Sequence, residues 1–293
     1  MGKLAYLKRS LLNRFSPSVC PSCGGACDNV IDKKLCGITT LLECKNCLLR
    51  FRFPPDSSEY NFQFYQDNYV QPGLTTDLPS EEDVSLLMKT NFSASEKDFS
   101  AYFPILQQIC AYLNRKIRIL DYGANWGYSC FQFKQLSFVE EVVGFELSVP
   151  RRRYGETMLG IEYVMNPLDL KGKIDVVFTS HVIEHMSNPS ILKEHADQAL
   201  ARDGFIVLGC PNGSDSARIA NKHWSQLWGE MHPNFISDRF LCRLFSDYNG
   251  KVVDEGILSS FPSVNSLLNS KVSSELPASG GLILIAQKAF KAT

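Results

Sequence analysis

Residues 117–127 constrain the fold of this chain more than any other stretch. Ile117-Arg-Ile-Leu-Asp121 is a short apolar run ending in an acid. It passes directly into Tyr122-Gly-Ala-Asn-Trp-Gly127 and then into a helical pattern over about residues 128–136. A strand, a glycine turn and a helix in that order form the opening unit of an open α/β sheet. Ligands in such sheets bind beyond the carboxyl ends of the strands, where Asp121 would stand, and Gly123 and Gly127 let the backbone approach a ligand closely. The next apolar run, Glu141-Val-Val-Gly-Phe-Glu146, again ends in an acid, 25 residues after Asp121. A carboxylate at that station can accept both hydroxyls of an adenosine ribose. The turn lacks the GxGxxG pattern that cradles a pyrophosphate, so an adenosine ligand without that group is expected, its amine met on the Asp121 side.

Four segments then follow one another: Leu120-Asp-Tyr-Gly-Ala-Asn-Trp-Gly127, Gly144-Phe-Glu146, Ile174-Asp-Val-Val-Phe-Thr-Ser-His-Val-Ile-Glu-His185 and Leu200-Ala-Arg-Asp-Gly-Phe-Ile-Val-Leu208. In this order they resemble the motifs of class I S-adenosylmethionine-dependent methyltransferases, over about residues 115–290. The resemblance implies an α/β fold for residues 116–293, a Rossmann-like seven-stranded methyltransferase sheet with helices on both faces. Later strands are expected near 175–179, 205–210, 251–259 and 282–288, the last antiparallel. It also implies that the turn, with Asp121, Gly123, Ala124, Asn125 and Gly127, holds the methionine part of S-adenosylmethionine, that Glu146 binds the ribose hydroxyls, and that Asp169 lies by the adenine. Asn125 departs from the family, which most often has glycine there. Asparagine tolerates left-handed backbone better than other non-glycine residues, so the turn can still form.

Ten cysteines are many for such a chain, and six of them fall between residues 20 and 47. Cys20-Pro-Ser-Cys23 and Cys44-Lys-Asn-Cys47 are two CxxC knuckles separated by 20 residues, the spacing of a four-cysteine zinc site. Residues 1–55 would then form a small zinc ribbon, with a hairpin between the knuckles and a strand over 48–53. Four thiolates leave no open position for a substrate water, so the zinc is read as structural and as the source of the ribbon's folding energy. Cys27 and Cys36 are spare thiols, either of which could replace one of the four ligands. Lys3, Lys8, Arg9 and Arg14 interrupt the apolar N-terminus, and no run approaches the ~18 apolar residues of a membrane span. A cytoplasmic, reducing setting follows, in which clustered cysteines bind metal rather than pair.

Residues 56–115 read as a connector. Tyr60, Phe62, Phe64, Tyr65 and Tyr69 put five aromatics into ten residues of otherwise irregular chain. That is too much apolar surface to leave in water, and a clamp between ribbon and main body is expected. Ser80-Glu-Glu-Asp83 has the form of a helix cap. Phe99, Tyr102, Phe103, Leu106, Ile109, Cys110 and Leu113 then recur at helical spacing, with Pro104 as a kink or a fresh start. The ribbon followed by the aromatic stretch is similar to a bacterial subgroup acting in polysaccharide, deoxysugar and secondary-metabolite pathways, including sugar C-methyltransferases.

The acceptor side is read from His181-Val-Ile-Glu-His185, which begins at the carboxyl edge of a strand, and from the segment 221–233. HxxEH is also the inverted zinc-peptidase motif, which supplies a metallohydrolase as a rival; that chemistry needs both histidines inside a helix. Trp224 and Trp228 are spaced as a packed core face. His232, before Pro233 in a polar loop, is the first choice of general base and His181 the second, with His185, Tyr69 and Glu230 also in the pool. Arg151-Arg-Arg153 reads as a solvated helix face. Lys+Arg 30 against Asp+Glu 31 gives a net charge of -1, which argues against a protein that coats nucleic acid. The expected function is methyl transfer to a small-molecule acceptor, a sugar, nucleotide sugar or secondary metabolite. A protein or RNA methyltransferase using the ribbon for recognition is the alternative, and a catalytically silent cofactor-binding protein the second.

Overall fold

A computed structural model of the chain describes residues 3–64, 66, 78–260, 263–275 and 280–289. Tyr65 and Tyr69, the latter a candidate base, lie outside the described residues.

Seven strands make the main sheet: β4 (Ile117–Tyr122), β5 (Val139–Phe145), β6 (Ile174–Ser180), β7 (Leu200–Pro211), β9 (Tyr248–Asp254), β10 (Ser273–Glu275) and β11 (Gly281–Lys288). Their order is β10-β9-β11-β7-β6-β4-β5. β5, β4, β6 and β7 run parallel, and β11 enters antiparallel between β7 and β9. The α/β sheet and its antiparallel last strand therefore form as expected. The segment after the helix Val149–Leu159 touches the edge of β5 only through a single bridge between Tyr163 and Gly144. The run expected as strand over 251–259 stops at Asp254 and becomes a 3-10 turn, Glu255–Ser260.

The sheet is covered on both faces, and its sequence shows why. Ile119, Val176, Phe178, Phe205, Val207, Ile283 and Ile285 point into one apolar cluster with the helices Phe103–Leu113, Tyr128–Lys134 and Val149–Leu159. Their neighbours Leu120, Val177, Ile206, Leu208, Leu282 and Leu284 point into the other, with the helices Ser190–Ala199 and Asp238–Leu244. Strands buried on both faces read as continuous apolar runs, as these do. Pro104 sits in the first turn of its helix, where it costs no hydrogen bond. Ser80 caps the helix Glu81–Lys89 by accepting from the Asp83 N–H.

A second sheet is built from β1 (Asn29–Lys34), β2 (Thr39–Glu43), β3 (Arg50–Phe53) and β8 (Asn234–Phe235), in that order and antiparallel throughout. Three strands come from the cysteine-bearing N-terminus and the fourth from the distant segment ahead of the helix Asp238–Leu244. The N-terminal part also shares the main core. Cys20, Leu42, Leu49 and Phe51 are buried in the same apolar cluster as Leu120 and Val177. At about 1.5–3 kcal/mol per fully buried apolar side chain, an upper estimate, this contact docks the cysteine-bearing part firmly on the sheet. The buried Arg50 adds bonds to Glu43 at 2.8 Å, to the Gly213 carbonyl at 2.6 Å and to Asp215 at 2.6 Å. The connector is not wholly irregular: Ser57 caps a short helix, Ser58–Gln63.

Candidate active site

The turn between β4 and its helix is folded by hydrogen bonds to the end of β5. The N–H groups of Gly123 and Ala124 both donate to the Phe145 carbonyl, at 2.7 and 3.0 Å. Gly123 has φ +83°, and a Cβ there would stand 2.3 Å from a methyl of Val182, so the turn lies directly against the His181–His185 loop. Gly127 has φ +84°, and Asn125 adopts the left-handed region at φ +53°. The Asn125 amide oxygen accepts from the Trp126 N–H at 2.9 Å and from the Arg151 guanidinium at 2.5 Å. Its backbone N–H donates to Glu146 at 3.0 Å, and the second Glu146 oxygen accepts from the Ser148 N–H at 2.8 Å. Each carboxylate oxygen thus carries one backbone bond and keeps lone-pair capacity for a further donor.

Burial raises the Glu146 carboxyl above its ordinary range, against the pull of its backbone donors and of Arg151 and Arg152. Asp121 is deeper, bonded to the Ser129 hydroxyl beneath the turn, and burial pushes it up to about 6. Ala124 is buried, so only its backbone borders the site. Asp169 is exposed on the 3-10 turn Pro167–Leu170. Arg151 corrects the expectation of a solvated face: it is buried against Asn125, and Arg152 donates to the Glu146 carbonyl at 2.7 Å.

The structure brings Cys20, Cys23, Cys44 and Cys47 together, with all four sulfurs within 4.8 Å of one another. The Cys20–Cys47 and Cys23–Cys44 sulfur pairs are 3.4 and 3.5 Å apart, against about 3.8 Å between ligands of a tetrahedral site with ~2.3 Å bonds. Both knuckles are the same turn. Gly24 N–H donates to the Cys20 carbonyl and Leu48 N–H to the Cys44 carbonyl, each at 2.9 Å, and both residues have positive φ. The donor set fits zinc. Cys27 turns its thiol to the Gly25 carbonyl at 3.4 Å, and Cys36 is exposed in the hairpin.

At the carboxyl edge of β6 a second cluster assembles. His181, at φ +55°, is held by its N–H to the Gly209 carbonyl at 2.9 Å, and its exposed ring places Nδ1 3.3 Å from Glu184. Strained backbone of this kind is common where a side chain must be aimed. His185 Nδ1 donates to the Met231 carbonyl at 2.7 Å and His232 Nδ1 to the Leu227 carbonyl at 2.8 Å; the two rings meet edge to face with centroids 4.7 Å apart. The Glu184 side chain is 1% exposed. Burial opposes its charge, but His181, His185 and His232 outweigh it and hold the carboxyl below its ordinary range. Burial lowers His185 to about 4. The loop between the histidines is a three-residue 3-10 turn, Ile183–His185, so the helix that a zinc-peptidase motif requires does not form. Sequence reasoning gave Glu184 no role at the site; its position inside HxxEH was the available signal.

The connector reaches both halves of this edge. Gln66 donates to the Leu147 carbonyl at 2.8 Å and accepts from the Val149 N–H at 3.2 Å, next to Glu146. Tyr60 and Phe64 line a small hollow with His185, Glu230, Met231 and Pro233. Arg9 stacks over Tyr60 at 3.9 Å and bonds to Asp56 at 2.5 Å and Glu230 at 3.0 Å, so Tyr60 is also part of a clamp. Trp224 and Trp228 are buried with Leu41 and Phe235, and Trp228 donates to Asp32 at 2.9 Å; they pack the N-terminal hairpin onto the 224–235 segment.

The profile of a family described as a methyltransferase domain matches residues 95–255. Among solved structures the chain is similar to an S-adenosylmethionine-dependent methyltransferase from Thermotoga maritima, described as a possible histamine N-methyltransferase. The identity is 14%, covering 71% of this chain and 95% of that one, with a TM-score of 0.42. For an S-adenosylmethionine-dependent methyltransferase from Mesorhizobium loti the values are 17%, 65%, 99% and 0.42. For the 1,6-didemethyltoxoflavin-N1-methyltransferase of Burkholderia thailandensis they are 14%, 77%, 100% and 0.41. No curated protein matches the sequence.

Proposed function

The chain belongs to the methyltransferase domain family matched by its residues 95–255, and we propose that it transfers a methyl group from S-adenosylmethionine to a small-molecule acceptor. The observation that carries this reading is the contact of Gly123 with Val182, which sets the turn between two acid-ended strands directly against the histidine loop. One side of that contact offers what an adenosine ligand needs. Glu146 has lone pairs for two ribose hydroxyls, Asp121 sets a negative field under the turn for an amine, and residues 123–127 supply the close backbone. Asp169 would border the adenine. The other side offers three histidines and Glu184 to an acceptor.

S-adenosylmethionine, when bound, would supply a sulfonium methyl group whose carbon a nucleophile attacks in line, displacing the sulfur, on which the electron pair of the broken bond stays. The protein's part is to hold donor and acceptor in line and to keep water out. We assign the acceptor's proton to His181, the histidine exposed at the strand end, ahead of His232, whose Nδ1 is tied to the Leu227 carbonyl. Zinc at Cys20, Cys23, Cys44 and Cys47 would be structural, fixing residues 1–55 on the sheet. A sugar, nucleotide sugar or secondary metabolite suits a site bordered by docked elements, whereas recognition of RNA or protein by the ribbon would need it exposed.

The test is thermal unfolding with and without S-adenosylmethionine. A hundredfold excess over Kd stabilises by about 2.7 kcal/mol, which raises Tm by about 5–10 °C for a chain of this size. Asp121→Asn and Glu146→Ala should each sharply reduce the shift. No shift in the unsubstituted chain would sink the proposal.

A further inference from the structure

We infer that Glu184, His185 and His232 form a second metal site, for a divalent first-row transition ion, at the acceptor side of the edge. The site is distinct from the cysteine cluster. The carboxylate of Glu184 is 1% exposed, and neither of its oxygens has a hydrogen bond of good geometry to a described residue; its nearest partners are imidazoles, His181 Nδ1 at 3.3 Å and His185 Nε2 at 3.9 Å, which balance its charge only when protonated. A buried carboxylate left in that condition is costly unless a cation meets it.

The two imidazoles are prepared for the same ion. A backbone carbonyl only accepts, so the bonds to Met231 and Leu227 put the proton of each ring on Nδ1. That leaves the lone pair on Nε2, the tautomer a metal ligand needs, and oriented by a second partner as ligating histidines usually are. One ligand atom from each of the three residues lies within 4.8 Å of the others. Adjacent ligands around an ion with ~2.1 Å bonds are about 3.0–3.4 Å apart, so small side-chain rotations close the set. Two imidazoles with one carboxylate and open positions favour Mn2+, Fe2+, Co2+ or Zn2+ over Mg2+.

The site depends on segments far apart in the chain. His185 follows β6, while His232 precedes β8, which is held by β3 of the N-terminal sheet; the Arg52 N–H donates to the Pro233 carbonyl at 2.7 Å. The open coordination positions would face the hollow lined by Tyr60, Phe64 and Met231. On the proposed methyltransferase reading, an ion there selects an acceptor that offers an oxygen. It would bind that oxygen and lower the pKa of its hydroxyl, whose proton passes to His181; the oxygen then bonds to the methyl carbon as the carbon–sulfur bond breaks and its electron pair stays on sulfur.

Mn2+ titration of the protein carrying one equivalent of zinc, which the four thiolates hold, followed by electron paramagnetic resonance, tests the site. One Mn2+ per chain should bind, with spin-echo modulation from directly coordinated imidazole nitrogen. His232→Gln and Glu184→Gln should each weaken it by roughly tenfold or more while the thermal shift with S-adenosylmethionine persists. The inference is overturned if no Mn2+ binds, if bound Mn2+ shows no imidazole modulation, or if both substitutions leave the affinity unchanged. The cofactor shift is read separately, so a chain that binds Mn2+ but not S-adenosylmethionine would overturn the methyltransferase reading and leave the metal site standing.

Discussion

The amide oxygen of Asn125 accepts from the buried guanidinium of Arg151 at 2.5 Å, and the Asn125 N–H donates to Glu146. One residue thus joins the turn after β4 to the acid after β5, and does so from the left-handed region, at φ +53°. The two contributions can be separated. Asn125→Gly keeps the backbone relaxed and loses the acceptor for Arg151; Asn125→Ala loses the acceptor and strains the backbone by about 1–2 kcal/mol more. Urea unfolding should therefore rank wild type above Asn125→Gly and Asn125→Gly above Asn125→Ala. Equal stability of the two variants would mean that φ at this position carries no cost.

Asp121 couples the cofactor site to pH. Burial raises it to about 6 in the free protein, above its unfolded value. Between about pH 4 and 6 the folded chain therefore holds a proton that the unfolded chain has released. The group's contribution to stability is present below pH 4 and lost as pH rises through 6, by about 3 kcal/mol. A cationic amine above the turn favours the ionised form. Affinity for S-adenosylmethionine should therefore fall as pH drops below about 6, by at most about tenfold per unit. Calorimetric titration from pH 5 to 8 checks this, and Asp121→Asn should bind weakly with no such slope.

What the sequence disclosed, and what it concealed, divides by the range of the interactions. The strand, turn and helix over 117–136 and the paired cysteine knuckles are local patterns, set by side-chain alternation and by turn geometry within a few residues. The helix Ser58–Gln63 escaped because its aromatic residues also suit an irregular clamp. β8 is two residues long and exists because β3 offers it an edge, which no pattern within 234–235 could announce. Arg151 looked solvated because a run of three arginines usually is; only the folded turn brings Asn125 to it. Glu184 has the same history, since a buried acid gains its meaning from His232, 48 positions away.

The cysteine cluster should govern the histidine edge through that short strand. β3 leaves the second knuckle and pairs Arg50 with Phe235 and Phe51 with Asn234, while the Asn234 side chain donates to the Met186 carbonyl at 2.6 Å. Removing a thiolate frees β3, then β8, then the loop that carries His232. Cys44→Ser should lower the zinc content by one ion per chain. A deficit of about 4 kcal/mol, a modest part of what a structural zinc supplies, lowers Tm by about 8–16 °C. Hydrogen exchange should show loss of protection at 50–53 and 234–236 together, while β4 to β7 stay protected, since their core is closed by helices on both faces. Loss confined to residues 20–53 would show that the cysteine-bearing part and the histidine edge are energetically independent, and protection retained throughout would show that the cluster contributes nothing to the fold.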